Sequence, residues 1–74
     1  MSVVVDARGM RCPHPVIALA KAARAADAGA TVDLLTDDPV ALTDVPAWCR
    51  MTGSQLQAVH EEDGHWRMTV VTAR

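Results

Sequence analysis

Val3-Val4-Val5-Asp6-Ala7-Arg8-Gly9-Met10-Arg11-Cys12-Pro13-His14-Pro15-Val16 is the stretch that decides the fold of this chain. Val3 to Val5 form a β-branched run closed by Asp6, which reads as a strand. Residues 7 to 12 read as a loop pivoting on Gly9. Pro13 and Pro15 then precede an Ala-rich segment, Val16 to Ala28, with strong helix propensity. Val16, Leu19, Ala20 and Ala23 stand at i, i+3, i+4 and i+7, the buried stripe of an amphipathic helix. Gly29 occupies the position where a C′ glycine would end it.

Working outward, Ala30 to Thr36 carries Val32 and Leu34 in alternation and reads as a second strand. Asp37-Asp38-Pro39 is a helix-start signal, an acidic cap followed by proline. Asp44-Val45-Pro46 is a second one, so a short turn and then a helix near 45 to 52 are expected, stopped by Gly53. Leu56, Ala58 and His60 alternate in a third strand, Asp63-Gly64 is a hairpin turn signal, and Trp66, Met68, Val70 and Thr72 alternate in a fourth. The order is βαβαββ. It predicts an α+β protein, a two-layer α/β sandwich in which one four-stranded mixed sheet has both helices on one face, so that both apolar stripes are buried. Asp33, Gln57 and Arg67, opposite the apolar set, predict that the other face is solvated.

Seventy-four residues suffice for one domain, spanning 1–74. A domain of this size buries only about 60% of the surface its unfolded chain exposes. The only aromatic residues are Trp48 and Trp66, so the core falls to Val, Leu, Ile, Ala and Met. Seven Lys and Arg are scattered against nine Asp and Glu, for a net charge of −2. No basic face is advertised, which argues against direct nucleic-acid binding. Two Cys are too few for a disulfide framework. The N-terminus has neither the basic n-region nor the apolar run of a signal peptide, and no stretch approaches the roughly 18 apolar residues of a membrane span. A cytoplasmic protein with reduced thiols is expected. The Cys and His residues lack the paired spacing of a zinc site, so no metal and no cofactor are expected. A monomer is expected, weak self-association through the open sheet face being the alternative.

The chemistry points to Cys12. Two prolines at spacing two fix the backbone at a helix start, where backbone N–H groups lack intrahelical partners. The positive end of the macrodipole, with Arg8 and Arg11 nearby, predicts a thiol pKa below its usual value of about 8.5 and hence a nucleophilic thiolate. The plain alternative is a small apolar residue beside a proline-rich cap, and Arg11, Pro13 and His14 are not core-like neighbours.

Asp6-Ala7-Arg8-Gly9-Met10-Arg11-Cys12-Pro13-His14-Pro15 resembles the signature of the TusA-like sulfur-carrier family, an Asp, a Gly and then Cys-Pro-x-Pro. Asp37-Asp38-Pro39 and Asp44-Val45-Pro46 with Cys49 resemble further blocks of its TusA-type branch, and the likeness spans essentially the whole chain. The resemblance implies a βαβαββ sandwich and a sulfur relay. Cys12 would accept a sulfane sulfur as a persulfide from a donor protein, such as a cysteine desulfurase or a rhodanese-like protein, and pass it to a downstream acceptor protein. The sulfur can end in tRNA 2-thiouridine, and related proteins serve sulfur oxidation or molybdenum cofactor metabolism. The chain departs from the pattern at Gly53-Ser54-Gln55, where TusA-type members often carry a His, and at Met10, where Leu is usual. The first departure bears on the partner set rather than on Cys12.

Around Cys12, the candidate site comprises Arg8, Gly9, Arg11, Pro13, His14 and Pro15. Arg8 and Arg11 could also dock an acidic partner. His14 could shuttle protons or be a solvated first-turn residue. His60 and His65 flank the hairpin turn and read as surface or edge residues. Asp37 and Asp38 read as helix caps, with contact to the Cys12 loop as the alternative. Cys49 shares a helical face with Val45, Trp48 and Thr52, which predicts core packing; a resolving thiol or a second sulfur site is the other reading. Against the sulfur carrier stand a non-catalytic interaction or regulatory module docking through the Cys12 loop, and a dithiol redox protein using Cys12 and Cys49.

Overall fold

The computed structural model describes residues 2–73. Its elements run β1 (Ser2–Asp6), α1 (His14–Ala25), β2 (Thr31–Thr36), α2 (Ala41–Thr52), β3 (Gln55–Glu62) and β4 (His65–Val71). The strands form one sheet in the order β1-β2-β4-β3. β1 lies parallel to β2, while β2–β4 and β4–β3 are antiparallel, so the sheet is mixed as expected. Asp63 and Gly64 both have positive φ, 28° and 81°, as a tight β3–β4 hairpin turn requires.

Strand periodicity decides which residues meet the helices. Val32 and Leu34 of β2 and Met68 and Val70 of β4 point to the helical side and are fully buried. There they join Leu19 of α1 and Ala41, Val45 and Cys49 of α2, with Val5, Leu56, Trp48 and Trp66 packed around them. Both helices therefore cover the same face. Each fully buried aliphatic side chain contributes about 1.5–3 kcal/mol, which sets the register of the whole layer.

Three local expectations are corrected. α1 covers 14–25 rather than 16–28. At Ala26 the backbone turns extended, with ψ 158°. Past that point the chain is tied to the end of β4 and turns toward β2: the Asp27 carbonyl accepts from Ala30 N–H (3.0 Å) and Thr72 Oγ1 (2.9 Å), and Gly29 N–H donates to the Thr72 carbonyl (3.1 Å). Gly29 thus serves a turn into β2, not the helix cap. α2 begins at Ala41, with Pro46 inside it rather than at its start. Ala41, Val45 and Cys49, four residues apart, form one buried stripe, and burying it outweighs the backbone bond that Pro46 cannot donate. Gly53, at φ 76°, closes this helix as expected. In β3 an extra residue at Gln57 shifts the register, since Leu56 pairs with Val70 but Ala58 with Thr69. Ala58 and His60 consequently leave the face of Leu56, and Val59 comes opposite Met68.

On the open face, Arg67 bridges Asp33 (3.2 Å) and Glu62 (3.2 Å). His65 contacts Glu62 at 3.4 Å, and its side chain is mostly buried rather than at the surface. Among the described residues no helix is long and apolar enough to cross a membrane.

Candidate functional site

β1 and β2 are parallel neighbours, so the loops leaving their C-terminal ends lie side by side. The first loop carries Cys12 and the second Asp37 and Asp38. Ala7 extends the ladder by one bond, its N–H to the Leu35 carbonyl at 2.8 Å, and its side chain is fully buried. The chain then reverses, with Met10 N–H donating to the Ala7 carbonyl (3.1 Å) and Gly9 at φ 84°, a left-handed conformation suited to glycine. The Cys12–Pro13 peptide bond is cis. His14 and Pro15 form the first turn of α1, Pro15 buried and His14 exposed.

Two carboxylates clamp this loop. Asp37 Oδ1 accepts from Gly9 N–H and from Arg11 Nη1, both at 3.0 Å. Asp38 Oδ2 accepts the Cys12 N–H at 2.8 Å, and its Oδ1 accepts Val40 N–H at 3.1 Å. Asp38 is 3% exposed, so its negative charge is matched by oriented backbone dipoles rather than by water. The reading of both residues as helix caps is thus corrected, since α2 has no side-chain cap bond and Asp37 and Asp38 instead reach back to the Cys12 loop. Asp38 also turns the chain toward α2 through Val40.

The thiol itself is exposed, and Sγ–H donates to Asp44 Oδ2 at 3.1 Å. That hydrogen bond pushes the Cys12 thiol above its ordinary pKa, reinforced by desolvation and by the negative charges of Asp44 and Asp38. The expected depression by Arg8 and Arg11 does not occur, because both arginines are already paired. Arg8 grips Asp6 through Nη2 (2.7 Å) and Nε (2.9 Å), and this grip takes the Asp6 carboxyl down to about 2. Arg11 binds Asp37, whose carboxyl is held low first by the Gly9 N–H and then by Arg11. At the helix start the His14 N–H donates to the Arg11 carbonyl and Pro15 has no N–H, so neither is free to meet the sulfur.

His14 turns Nδ1 toward the Arg11 carbonyl at 3.2 Å. Cys49 is 4% exposed, and burial pushes its thiol up. On α2 it lies about 7.5 Å along the axis from Asp44 and roughly 140° around it. The two cysteines are free, one exposed and one buried, and no pair forms. Among the described residues no group of three or more His, Cys, Asp and Glu side chains is placed to hold a metal ion. Asp44 is the site residue that sequence reasoning missed. It read as a cap, and only the Asp44-Val45-Pro46 resemblance hinted at more.

The nucleophile presented by the clamped loop is the exposed Cys12 sulfur, able to act once it loses its proton. The family model described as sulfurtransferase TusA matches residues 3–72. An Archaeoglobus fulgidus protein, provisionally described as a sulfur carrier protein, is 37% identical over 68 residues, covering 92% of this chain and 93% of that protein. The crystal structure of a SirA-like protein from Desulfitobacterium hafniense superposes with a TM-score of 0.82 at 29% identity, covering 97% of this chain and 99% of the other. A family match running from the first strand through the end of the fourth leaves no element outside it, and the chain belongs to the TusA sulfurtransferase family.

Proposed function

We propose that this protein is a sulfur carrier that holds a sulfane sulfur as a persulfide on Cys12 and relays it between proteins. The observation that carries the reading is an exposed thiol on a clamped loop, in a chain that belongs to the TusA family. In the transfer, deprotonated Cys12 Sγ attacks the outer sulfur of a donor persulfide. The new Cys12 S–S bond forms as the donor's own S–S bond breaks, and the donor sulfur leaves as a thiolate that takes up the released proton. Atoms and electrons balance without an oxidant, as in thiol–disulfide exchange. Onward transfer repeats the step with Cys12 as the leaving group.

Arg8, Gly9, Arg11, Pro13, His14 and Pro15 shape the loop, and Asp37 and Asp38 hold it. The donor is a persulfide-bearing protein such as a cysteine desulfurase or a rhodanese-like protein, and the acceptor is a further protein, with tRNA thiolation one destination. The protein acts as a monomer in the cytoplasm, where Cys12 stays reduced, and as a relay rather than a conventional turnover enzyme. Mass spectrometry after incubation with a cysteine desulfurase and cysteine tests this. Wild type gains one sulfur at Cys12 and Cys12→Ser gains none. Equal loading of the two, or none on wild type, overturns the reading, and genetic complementation by Cys12→Ala would replace it with a docking module that carries no sulfur.

A further inference from the structure

We propose that Asp44 keeps Cys12 a neutral thiol in the free protein, and that a docking partner which brings a basic side chain to Asp44 releases the nucleophile. The purpose of this gate rests on the sulfur-carrier reading; its measurement does not.

The argument is one of unequal compensation among the carboxylates around the loop. Asp6 is matched by Arg8, Asp37 by Arg11 and the Gly9 N–H, and Asp38 by the N–H groups of Cys12 and Val40. Among the described residues, the one hydrogen bond to the Asp44 carboxylate comes from Cys12 Sγ. A carboxyl is a far stronger acid than a thiol, about 4 against about 8.5, so the shared proton stays on sulfur. Asp38, facing the same sulfur from the segment before α2, works in the same direction. From the first loop, Arg8 and Arg11 are engaged elsewhere, and His14 at the head of α1 faces the Arg11 carbonyl. Among the described residues nothing that faces the thiol supplies the positive charge a thiolate needs, so an activating cation has to arrive with the partner. When it pairs with Asp44, the Sγ–H proton passes to solvent and the thiolate is free to attack. Between encounters the neutral thiol resists stray electrophiles and oxidants, which select thiolates.

The test measures iodoacetamide alkylation of Cys12, located by mass spectrometry, across pH 6–10 for wild type, Asp44→Asn and Asp44→Lys. Asp44→Asn is expected to react about two- to fivefold faster at pH 7, the range of an exposed charge interaction in water. Asp44→Lys, which builds the cation in, reacts faster still, and all three converge at high pH. In 1 M salt, where the Debye length is about 3 Å, the differences shrink. Equal or slower alkylation of Asp44→Asn overturns the proposal. A second measurement needs no change at Asp44: thiolate absorbance at 240 nm, taken as wild type minus Cys12→Ser so that Cys49 cancels, titrates above free cysteine, and a midpoint at or below free cysteine also overturns the proposal. Faster alkylation of Asp44→Asn without sulfur loading on wild type would leave the gate standing and remove the carrier. Loading with unchanged alkylation would do the reverse.

Discussion

Replacing Asp38 by alanine removes the acceptor that holds the Cys12 backbone. In the folded protein its two oxygens receive the Cys12 N–H at 2.8 Å and the Val40 N–H at 3.1 Å, and the residue is 3% exposed. A hydrogen bond to a charged group contributes about 1.5–3 kcal/mol, and a donor left without a partner costs its desolvation. Cys12 lies at the surface, so water can reach its N–H and takes back part of the loss. A net destabilisation of about 2–3 kcal/mol follows for Asp38→Ala, equivalent to roughly 10–20 °C in Tm for a domain of this size. Asp38→Asn keeps one acceptor oxygen but turns an amide against one donor, and should fall about midway. Urea unfolding followed by circular dichroism gives the free energies, and sulfur loading of the folded variants reports on the loop. Loading should fall in the same order as stability, because an untethered Cys12 N–H no longer fixes where the sulfur sits. An alanine variant within about 0.5 kcal/mol of wild type, or an asparagine variant no better than alanine, would refute the assignment of Asp38 as the clamp.

Two further expectations concern the rest of the molecule. Cys49→Ala, at a site 4% exposed within the core, should cost about 1–2 kcal/mol in urea unfolding while sulfur loading at Cys12 is retained; lost loading in a folded variant would give Cys49 a chemical role. In acid, Asp6, at about 2, and Asp37, also lowered, are depressed below their unfolded values. Their contribution is therefore complete above about pH 4 and is lost as pH falls through the folded values. The urea midpoint of wild type should fall below pH 4 more steeply than that of Asp6→Asn, and equal slopes would show that the Arg8–Asp6 pair contributes nothing.

The layer architecture was legible because two periodicities carry it. Val32 and Leu34, and Met68 and Val70, alternate, and Leu19 lies at the centre of a helical stripe, so the buried side of each element can be read without coordinates. Boundaries were less legible because they are set by partners distant in sequence. The chain leaving α1 is tied to Thr72 through the Asp27 carbonyl and the Gly29 N–H, and α2 starts early because Ala41 has a place beneath Val45 and Cys49. Gln57 carries no glycine or other signal of a bulge, so the change of face in β3 was hidden. At the site, the Cys-Pro-x-Pro run named the sulfur, but its electrostatics were inverted. Local sequence shows Arg8 and Arg11 beside Cys12 and does not show that Asp37, 26 residues beyond Arg11, and Asp6 take them up, nor that Asp44 lies 32 residues beyond the thiol it meets.

That arrangement makes the chemistry depend on the core. The β1–β2 pairing places Val3 against Val32, Val5 against Leu34 and Asp6 against Leu35, and the next residues along each strand are Ala7 and Thr36, with Asp37 and Asp38 immediately beyond. A slip of one residue would move the apolar side chains of one strand to the open face, and burial forbids it. The same constraint fixes the height of Asp37 and Asp38 against Gly9 and Cys12. On the second layer, Val45 and Cys49 lock the rotation of α2, and Asp44, the neighbour of Val45, is carried to the one rim that faces the loop. A few buried side chains thus position three carboxylates around the loop that carries Cys12. A core substitution that let β2 slide or α2 rotate would reach Cys12 through Asp38 and Asp44 without touching the motif itself.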